Sequence, residues 1–216
     1  MSDEQGREAG EALTDEQREA HRERMQALRE EHRRRVAACT ERRGVLIINT
    51  GNGKGKSTSA FGTVLRAVGH GFEAGVVQFI KGKWKTGEMA ALRLLPGVEH
   101  IVAGDGFTWD TQDLDRDIAS ARRGWSEALR LIEAARANER FQLLVLDELN
   151  IALRYGYLDP FEVARGLIDR PEHLSIIVTG RDAPEALIEV ADTVTTMQPV
   201  KHAFEAGIRA RRGVEF

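Results

Sequence analysis

Several features that would direct the chain to a membrane or an oxidising compartment are missing from its 216 residues. There is one cysteine, Cys39, so no disulfide can form within the chain. No uninterrupted apolar stretch approaches the roughly 18 residues that a membrane span needs. The N-terminus also lacks the apolar segment of a secretory signal peptide. We therefore expect a cytoplasmic protein without a membrane association.

A basic excess is missing as well. The formal net charge is -3, whereas general nucleic-acid binders usually carry a positive excess, so we expect no nucleic-acid partner. The 42% of hydrophobic residues excludes wholesale disorder, because disordered chains have too few apolar side chains to offset the entropy of ordering. A typical domain has roughly 150 residues, so the length predicts one domain with an extension.

The extension is predicted at residues 1–43. This segment has no Phe, Trp, Tyr or Lys, and about half of it is Arg, Asp or Glu. Thr14 and Gln17 have the spacing of a capping box, which predicts a helix that begins after Thr14. We interpret the segment as a charged helical arm. Its composition is compatible with a solvated tail and with an arm that orders against a partner subunit.

From residue 44 to residue 216 the sequence predicts a single domain in which strands and helices alternate. Helical patterns lie between short apolar, β-branched runs, and such alternation produces βαβ units on a mostly parallel sheet with flanking helices. Sheets of this kind bind ligands beyond the carboxyl ends of their strands. The predicted strands are 45–50, 74–80, 98–103, 142–148, 174–180 and a short one at 193–197.

The first strand runs into a glycine-rich segment, TGNGKGKST (Thr50–Thr58), which precedes the first helix of the domain. The phosphate-loop pattern is G-x-x-x-x-G-K-[ST], and Gly55, Lys56 and Ser57 occupy its last three positions. Thr50 stands where the pattern has its first glycine. Glycines allow a tight turn with inward N–H groups, and the helix that follows presents its positive end to phosphate.

Three side chains of this loop carry the chemistry that we predict for it. Lys56 supplies a positive charge to the phosphates, and the Ser57 hydroxyl is placed to bind Mg²⁺. Lys54 adds a second cation. A glycine-rich turn with lysines by chance is the alternative, but the strand before it and the helix after it favour a nucleotide site. The fold that we expect is therefore the three-layer, RecA-like P-loop fold.

A second pattern, formed by two acidic residues, supports this interpretation. The apolar run LLVLDE delivers Asp147 and Glu148 to the carboxyl end of a strand, where P-loop proteins complete their magnesium site. We expect one of the two carboxylates to hold Mg²⁺, directly or through water. The alternative is structural: the pair would cap the next helix and supply an acid to its first turn.

Lysine is scarce and clustered. Only six of the 31 basic residues are lysine, and they lie in three segments: the glycine-rich loop, the loop after the second strand and the C-terminal tail. Lysine and arginine are not interchangeable where geometry is tight. We therefore expect Lys83 and Lys201 to converge with the loop on an anionic ligand, unless the clustering only reflects a compositional bias.

Taken in order along the chain, these motifs resemble the ATP:corrinoid adenosyltransferase family. The resemblance extends from residue 44 to the C-terminus, and two of its blocks, GFTWDTQD and PVKHAF, are not general P-loop features. It implies a reaction in which a cobalt(I) corrinoid, either cobyrinate a,c-diamide or cobalamin, attacks the 5′ carbon of ATP and releases triphosphate. The matching segments are TGNGKGKST, VVQFIKGKW, GFTWDTQD, LLVLDELN, VTGR and PVKHAFEAGI.

The resemblance also implies roles for individual residues. Phe107 and Trp109 match an aromatic pair that packs under the corrin and keeps the lower axial ligand away from cobalt. Glu148 matches the acidic magnesium ligand, with Asp147 beside it. Arg181, in VTGR, ends a strand at the ligand edge, where it contacts ligand or forms a salt bridge. The residues that match the nucleotide loop are Asn52, Gly53, Lys54, Gly55, Lys56, Ser57 and Thr58.

Because cobalt(I) is itself the nucleophile, the resemblance implies that no general base is needed. It further implies ATP and Mg²⁺ as cofactors, a homodimer whose N-terminal helix covers the partner's site, and a flavoprotein reductase as electron donor. The alternative function, from the phosphate loop alone, is a nucleotide-dependent switch or a small-molecule kinase. A GTPase would need a guanine-reading N-K-x-D motif, which we do not find.

Overall fold

The computed structural model describes residues 14–80, 86–104 and 113–215. The chain divides into two compact units, Met1–Arg42 and Arg43–Phe216. From residue 14 onward the first unit contains one helix, α1 (Asp15–Ala38), with no buried residue. The predicted capping box is present: the Thr14 hydroxyl accepts from the Gln17 amide at 3.2 Å, and the Gln17 side chain accepts from the Thr14 amide at 2.9 Å.

The second unit is built on a six-stranded sheet in which every pair of neighbouring strands is parallel. The strand order is β3-β2-β4-β5-β1-β6, so β1 lies between β5 and β6. This confirms the predicted α/β fold with a parallel sheet. The strands are β1 (Leu46–Thr50), β2 (Ala74–Gln78), β3 (Val98–Val102), β4 (Leu143–Asp147), β5 (Ser175–Thr179) and β6 (Thr193–Thr196).

Helices flank the sheet, and the apolar strand residues alternate between two hydrophobic clusters. In β4, Leu144 and Leu146 belong to the larger cluster, whereas Leu143 and Val145 belong to the smaller one. Central strands with both faces buried need such continuous apolar runs. The helices within the described ranges are α2 (Lys56–Gly69), α3 (Gly87–Leu92), α4 (Leu114–Asn138), α5 (Leu149–Arg154), α6 (Pro160–Ile168) and α7 (Glu185–Ile188), with a 3₁₀ turn at Ala203–Ala206.

Sequence analysis anticipated helix α5 only in the structural alternative for Asp147 and Glu148, in which the pair caps the next helix. It has only six residues and follows β4 directly, with its N-cap at Glu148, whose backbone is left-handed (φ 62°). Six residues are too few to establish a helical repeat of apolar positions. No helix within the described ranges is long and apolar enough to cross a membrane.

Candidate functional site

The glycine-rich loop joins the end of β1 to the start of α2, at the carboxyl edge of the sheet. Gly51 and Gly55 have positive φ angles of 89° and 107°, which favour glycine. A Cβ atom on Gly51 would lie 2.4 Å from the carbonyl oxygen of Met197, and a Cβ atom on Gly53 would lie 2.7 Å from the carbonyl carbon of Met197. The glycines therefore allow the tight turn and also the close approach of the chain beyond β6.

Thr50, which replaces the first glycine of the pattern, has a structural role. Its side chain is buried, and its hydroxyl accepts a hydrogen bond from the amide of Ala183 at 3.1 Å. Its carbonyl accepts from the amide of Met197 at 2.8 Å, and the amide of Gly53 donates to the carbonyl of Met197 at 2.7 Å. The loop is thus held by the connection after β5 and by the segment after β6.

Lys56 is buried, and its ammonium donates to the carbonyls of Gly51 and Gly53, both at 2.7 Å. Burial lowers its pKa, and the positive charge of Arg181 lowers it further. Among the described residues, the negative charges of Glu148 and Asp182 oppose this effect. The structure therefore brings the predicted residues Lys56, Glu148 and Arg181 into one electrostatic neighbourhood.

Lys54 belongs to the same loop but has a different partner. Its exposed ammonium forms an ion pair with Glu215, at the far end of the chain. Asn52 is exposed at the tip of the loop and lines an open cavity of about 390 Å³ together with Asp182 and residues 196–199. Ser57 is half-buried and Thr58 is exposed in the first turn of α2.

The two predicted acids occupy different environments. Asp147 is fully buried, and its carboxylate accepts from the Gln78 amide at 2.9 Å and from the Thr179 hydroxyl at 2.8 Å. Glu148 is half-buried and stands at the N-cap of α5, but its side chain makes no capping hydrogen bond. This argues against the structural alternative for Glu148, because a capping role would place its carboxylate on the helix amides.

The donor set suits magnesium shared with a nucleotide. No group of three or more His, Cys, Asp and Glu residues that could hold a metal occurs within the described part of the chain. Mg²⁺ is usually bound by one or two carboxylates together with substrate phosphates and water, so it does not need a cage made by the protein alone. The Ser57 hydroxyl and the half-buried carboxylate of Glu148 fit this mode of binding.

The remaining predicted residues are Lys83, Phe107, Trp109 and Lys201. Lys83, Phe107 and Trp109 lie outside the described residues. Lys201 is exposed in the segment after β6, and it makes no ion pair with the part of the chain that is described. The convergence of Lys83 and Lys201 on the phosphate loop stays a prediction.

The structure also identifies polar residues that sequence analysis missed. Gln78 and Thr179 end buried strands and are themselves buried, and His100 lies on β3 with its Nε2 atom 2.8 Å from the side-chain oxygen of Gln78. The sequence did offer a signal for Gln78 and Thr179, because each is a polar residue at the carboxyl end of an otherwise apolar strand. Nothing in the sequence around His100 distinguished it.

Comparison with known proteins agrees with the family resemblance of the sequence motifs. The sequence profile of the family described as ATP:corrinoid adenosyltransferase BtuR/CobO/CobP matches residues 42–216. A corrinoid adenosyltransferase of Pseudomonas aeruginosa is 51% identical over 202 residues, which are 93% of this chain and 98% of that one. Those of a Sinorhizobium species and of Escherichia coli K12 are 44% identical over 210 residues (96% of each chain) and 45% identical over 198 residues (92% and 98%).

Proposed function

The chain belongs to the ATP:corrinoid adenosyltransferase family, and from this premise we propose that it transfers the 5′-deoxyadenosyl group of ATP to the cobalt(I) of a corrinoid. Cobalt(I) supplies the electron pair of the new cobalt–carbon bond, and the bond between the 5′ carbon and its oxygen breaks. Triphosphate leaves with the electrons of that bond. The observation that carries the proposal is the phosphate loop with the buried Lys56 at the junction of β1 and α2.

Lys56 and the start of α2 act on the leaving group. In the described structure the ammonium of Lys56 donates to two carbonyls of its own loop, and we propose that it exchanges these carbonyls for phosphate oxygens when ATP binds. The positive end of α2 adds to the same field. Protein groups that are oriented before the reaction stabilise the charge that develops on triphosphate, and no proton transfer is required.

We further propose that Ser57 and Glu148 hold Mg²⁺ against the triphosphate. Asp147 supports this pair from its buried position between Gln78 and Thr179. Bound magnesium neutralises phosphate charge and so favours departure of the triphosphate. The donor set at the loop supports this assignment, because a hydroxyl and a carboxylate leave room for phosphate oxygens as further ligands.

For the corrinoid, either cobyrinate a,c-diamide or cobalamin, we propose Phe107 and Trp109 as the aromatic face below the ring. Aromatic side chains offer cobalt no oxygen or nitrogen ligand, so they favour the loss of the lower axial ligand before reduction. Arg181, Lys83 and Lys201 are proposed to contact the anionic groups of the ligands. The nearness of Arg181 to Lys56 supports its part in this assignment.

The partners that we propose are a second copy of the chain and a flavoprotein that supplies the electron for cobalt(I). The arm supports the homodimer: α1 is a capped helix of 24 residues with no buried residue, and its apolar side chains Met25, Leu28 and Val36 are exposed. We propose that this helix covers the site of the partner subunit, and that the enzyme acts in the cytoplasm.

The proposed function is tested by anaerobic incubation of the protein with ATP, Mg²⁺ and a chemically reduced corrinoid. We expect the absorbance of the cobalt(I) corrinoid to be replaced by that of an alkylated corrinoid, only when ATP is present. ATP turnover that proceeds without corrinoid, with no change in corrinoid absorbance, would instead favour the nucleotide switch or kinase.

A further inference from the structure

A row of side-chain hydrogen bonds crosses four neighbouring strands of the sheet. From β3 to β5 the row joins His100 to Gln78 (2.8 Å), Gln78 to Asp147 (2.9 Å) and Asp147 to Thr179 (2.8 Å). Gln78 and Asp147 are opposite each other in the sheet register, and Thr179 directly follows the residue that pairs with Leu146. Gln78, Asp147 and Thr179 therefore lie at the carboxyl edge, next to the proposed magnesium site, and His100 joins the row from the middle of β3.

The direction of each hydrogen bond follows from the chemistry of the groups. Both the Gln78 amide nitrogen and the Thr179 hydroxyl donate to the carboxylate oxygens of Asp147. The oxygen of Gln78 then faces His100, and the Nε2 atom of His100 must carry a hydrogen. Because the Thr179 hydroxyl donates its hydrogen to Asp147, its oxygen is left to accept from the amide of Glu148, at 3.0 Å.

The row ends on strained backbone. Glu148 has a φ of 62°, in the left-handed region, where residues other than glycine are uncommon. Such a conformation persists only where its surroundings hold it in place. Gln78, Asp147 and Thr179 are 1%, 0% and 0% exposed, so water does not compete for their hydrogen bonds.

We propose that Gln78, Thr179 and His100 are positioning residues that fix Asp147 and the backbone of Glu148, and thereby hold the Glu148 carboxylate for magnesium-bound ATP. The proposal rests on the proposed function, in which Glu148 is a magnesium ligand. Outer partners of metal ligands orient them in this way, and their loss weakens metal binding about 10- to 100-fold. The row extends this support to β3, which leads towards the segment that contains Phe107 and Trp109.

The environment of His100 is consistent with a neutral donor. Burial lowers its pKa, and the positive charge of Arg93 lowers it further, whereas Asp147 opposes them. The Nδ1 atom is buried without a hydrogen-bond partner among the described residues. A ring with its hydrogen on Nε2 leaves only a lone pair at Nδ1, which costs less to bury than an unpartnered N–H group.

The test compares Thr179→Val, which keeps the shape of the side chain but removes the hydroxyl, with Thr179→Ser, which keeps the hydroxyl. Gln78→Leu removes the central amide. Titration calorimetry of the full-length protein with ATP, at a series of Mg²⁺ concentrations, gives the Mg²⁺ concentration for half-maximal enhancement of ATP binding. We expect Thr179→Val and Gln78→Leu to raise this concentration about tenfold, with ATP affinity in the absence of Mg²⁺ unchanged. Thr179→Ser should restore the wild-type value.

His100 provides a variant at the less buried end of the row, so the test does not depend on the deeply buried positions alone. His100→Leu removes the donor, whereas the amide of His100→Gln can still donate to Gln78. We expect His100→Leu to raise the required Mg²⁺ concentration and His100→Gln to raise it less. Unchanged magnesium dependence in folded Thr179→Val, Gln78→Leu and His100→Leu proteins would overturn the proposal.

The two proposals fail in different ways. If the wild-type protein forms triphosphate and its ATP binding responds to Mg²⁺, while the variants respond identically, only the positioning role is wrong. If wild-type ATP binding does not respond to Mg²⁺, the proposed role of Glu148 is contradicted and the positioning role falls with it.

Discussion

Lys54 and Glu215 form an ion pair that joins the phosphate loop to the end of the chain, across 161 residues of sequence. The same loop is held at Gly53 by the carbonyl of Met197. Both contacts come from the segment after β6, so this segment packs against the loop that we propose for triphosphate. If ATP binds this loop as we propose, it competes with Glu215 for the charge of Lys54.

Removing this competitor is expected to strengthen ATP binding. Glu215→Gln abolishes the negative charge, and because the Lys54 side chain is 56% exposed, the ion pair is screened by water. Exposed pairs contribute roughly 0.2–1 kcal/mol, so we expect an increase in ATP affinity of no more than about fivefold. Calorimetric titration with ATP measures it, and Glu205→Gln, in the exposed 3₁₀ turn, is the matched control. Weaker ATP binding in Glu215→Gln would contradict the competition.

Lys56→Ala is expected to weaken ATP binding substantially. A charge-assisted hydrogen bond contributes roughly 1.5–3 kcal/mol, which corresponds to about a ten- to hundredfold loss of affinity. Because the ammonium also bridges Gly51 and Gly53, thermal unfolding should accompany the titration, to separate lost binding from a disordered loop. A folded Lys56→Ala protein with wild-type ATP affinity would exclude the loop as the triphosphate site.

Gly53→Ala tests the close packing between the loop and the chain beyond β6. The added Cβ would lie 2.7–2.8 Å from backbone atoms of Met197 and Gln198, so the segments must separate. We expect a loss of about 1–3 kcal/mol in the free energy of unfolding, together with weaker ATP binding. Gly62→Ala is the control, because its added Cβ meets no atom within 4 Å and it lies within α2. Denaturant titrations should show Gly62→Ala unchanged or more stable; equal effects in the two variants would refute the packing argument.

Asp192 provides a pH dependence of stability. Hydrogen bonds from Arg43 and from the amide of Leu46 lower the pKa of Asp192 to about 2, and Arg170 acts in the same direction. Because the pKa in the folded state is below that of the unfolded chain, the stabilisation is present above pH 3.8 and is lost as the pH falls towards 2.

We expect Asp192→Asn to lower the free energy of unfolding by about 1 kcal/mol at pH 7, after allowing for screening by water. The difference between wild type and variant should shrink between pH 4 and pH 2, as followed by urea titrations at several pH values. A difference that does not change with pH would mean that the charge of Asp192 does not stabilise the fold.

The sequence predicted the fold because the strands have continuous apolar runs and lie between helical patterns. Their ends were placed within a few residues: the strand predicted at 74–80 is Ala74–Gln78 in the structure. The order of the strands could not be predicted in this way. β2 and β4 are neighbours although β3 and α4 separate them along the chain.

In the candidate site, too, local patterns could be predicted from the sequence, whereas contacts that depend on the fold could not. The phosphate loop and the Asp147–Glu148 pair are local patterns, and sequence analysis identified both. The role of Gln78 could not be predicted, because its hydrogen bonds depend on the strand order. β2 lies between β3 and β4, which brings His100 to one side of Gln78 and Asp147 to the other. The ion pair of Lys54 with Glu215 could not be predicted either, because Glu215 is distant in sequence and belongs to no motif.

The most direct test of the proposed reaction is phosphorus NMR of the products formed from ATP and a reduced corrinoid. We expect inorganic triphosphate in equal amount to the adenosylated corrinoid, and a lower yield of both products from Lys56→Ala at limiting ATP. ADP with phosphate, or a phosphorylated product, would contradict adenosyl transfer and place the chemistry at the terminal phosphorus.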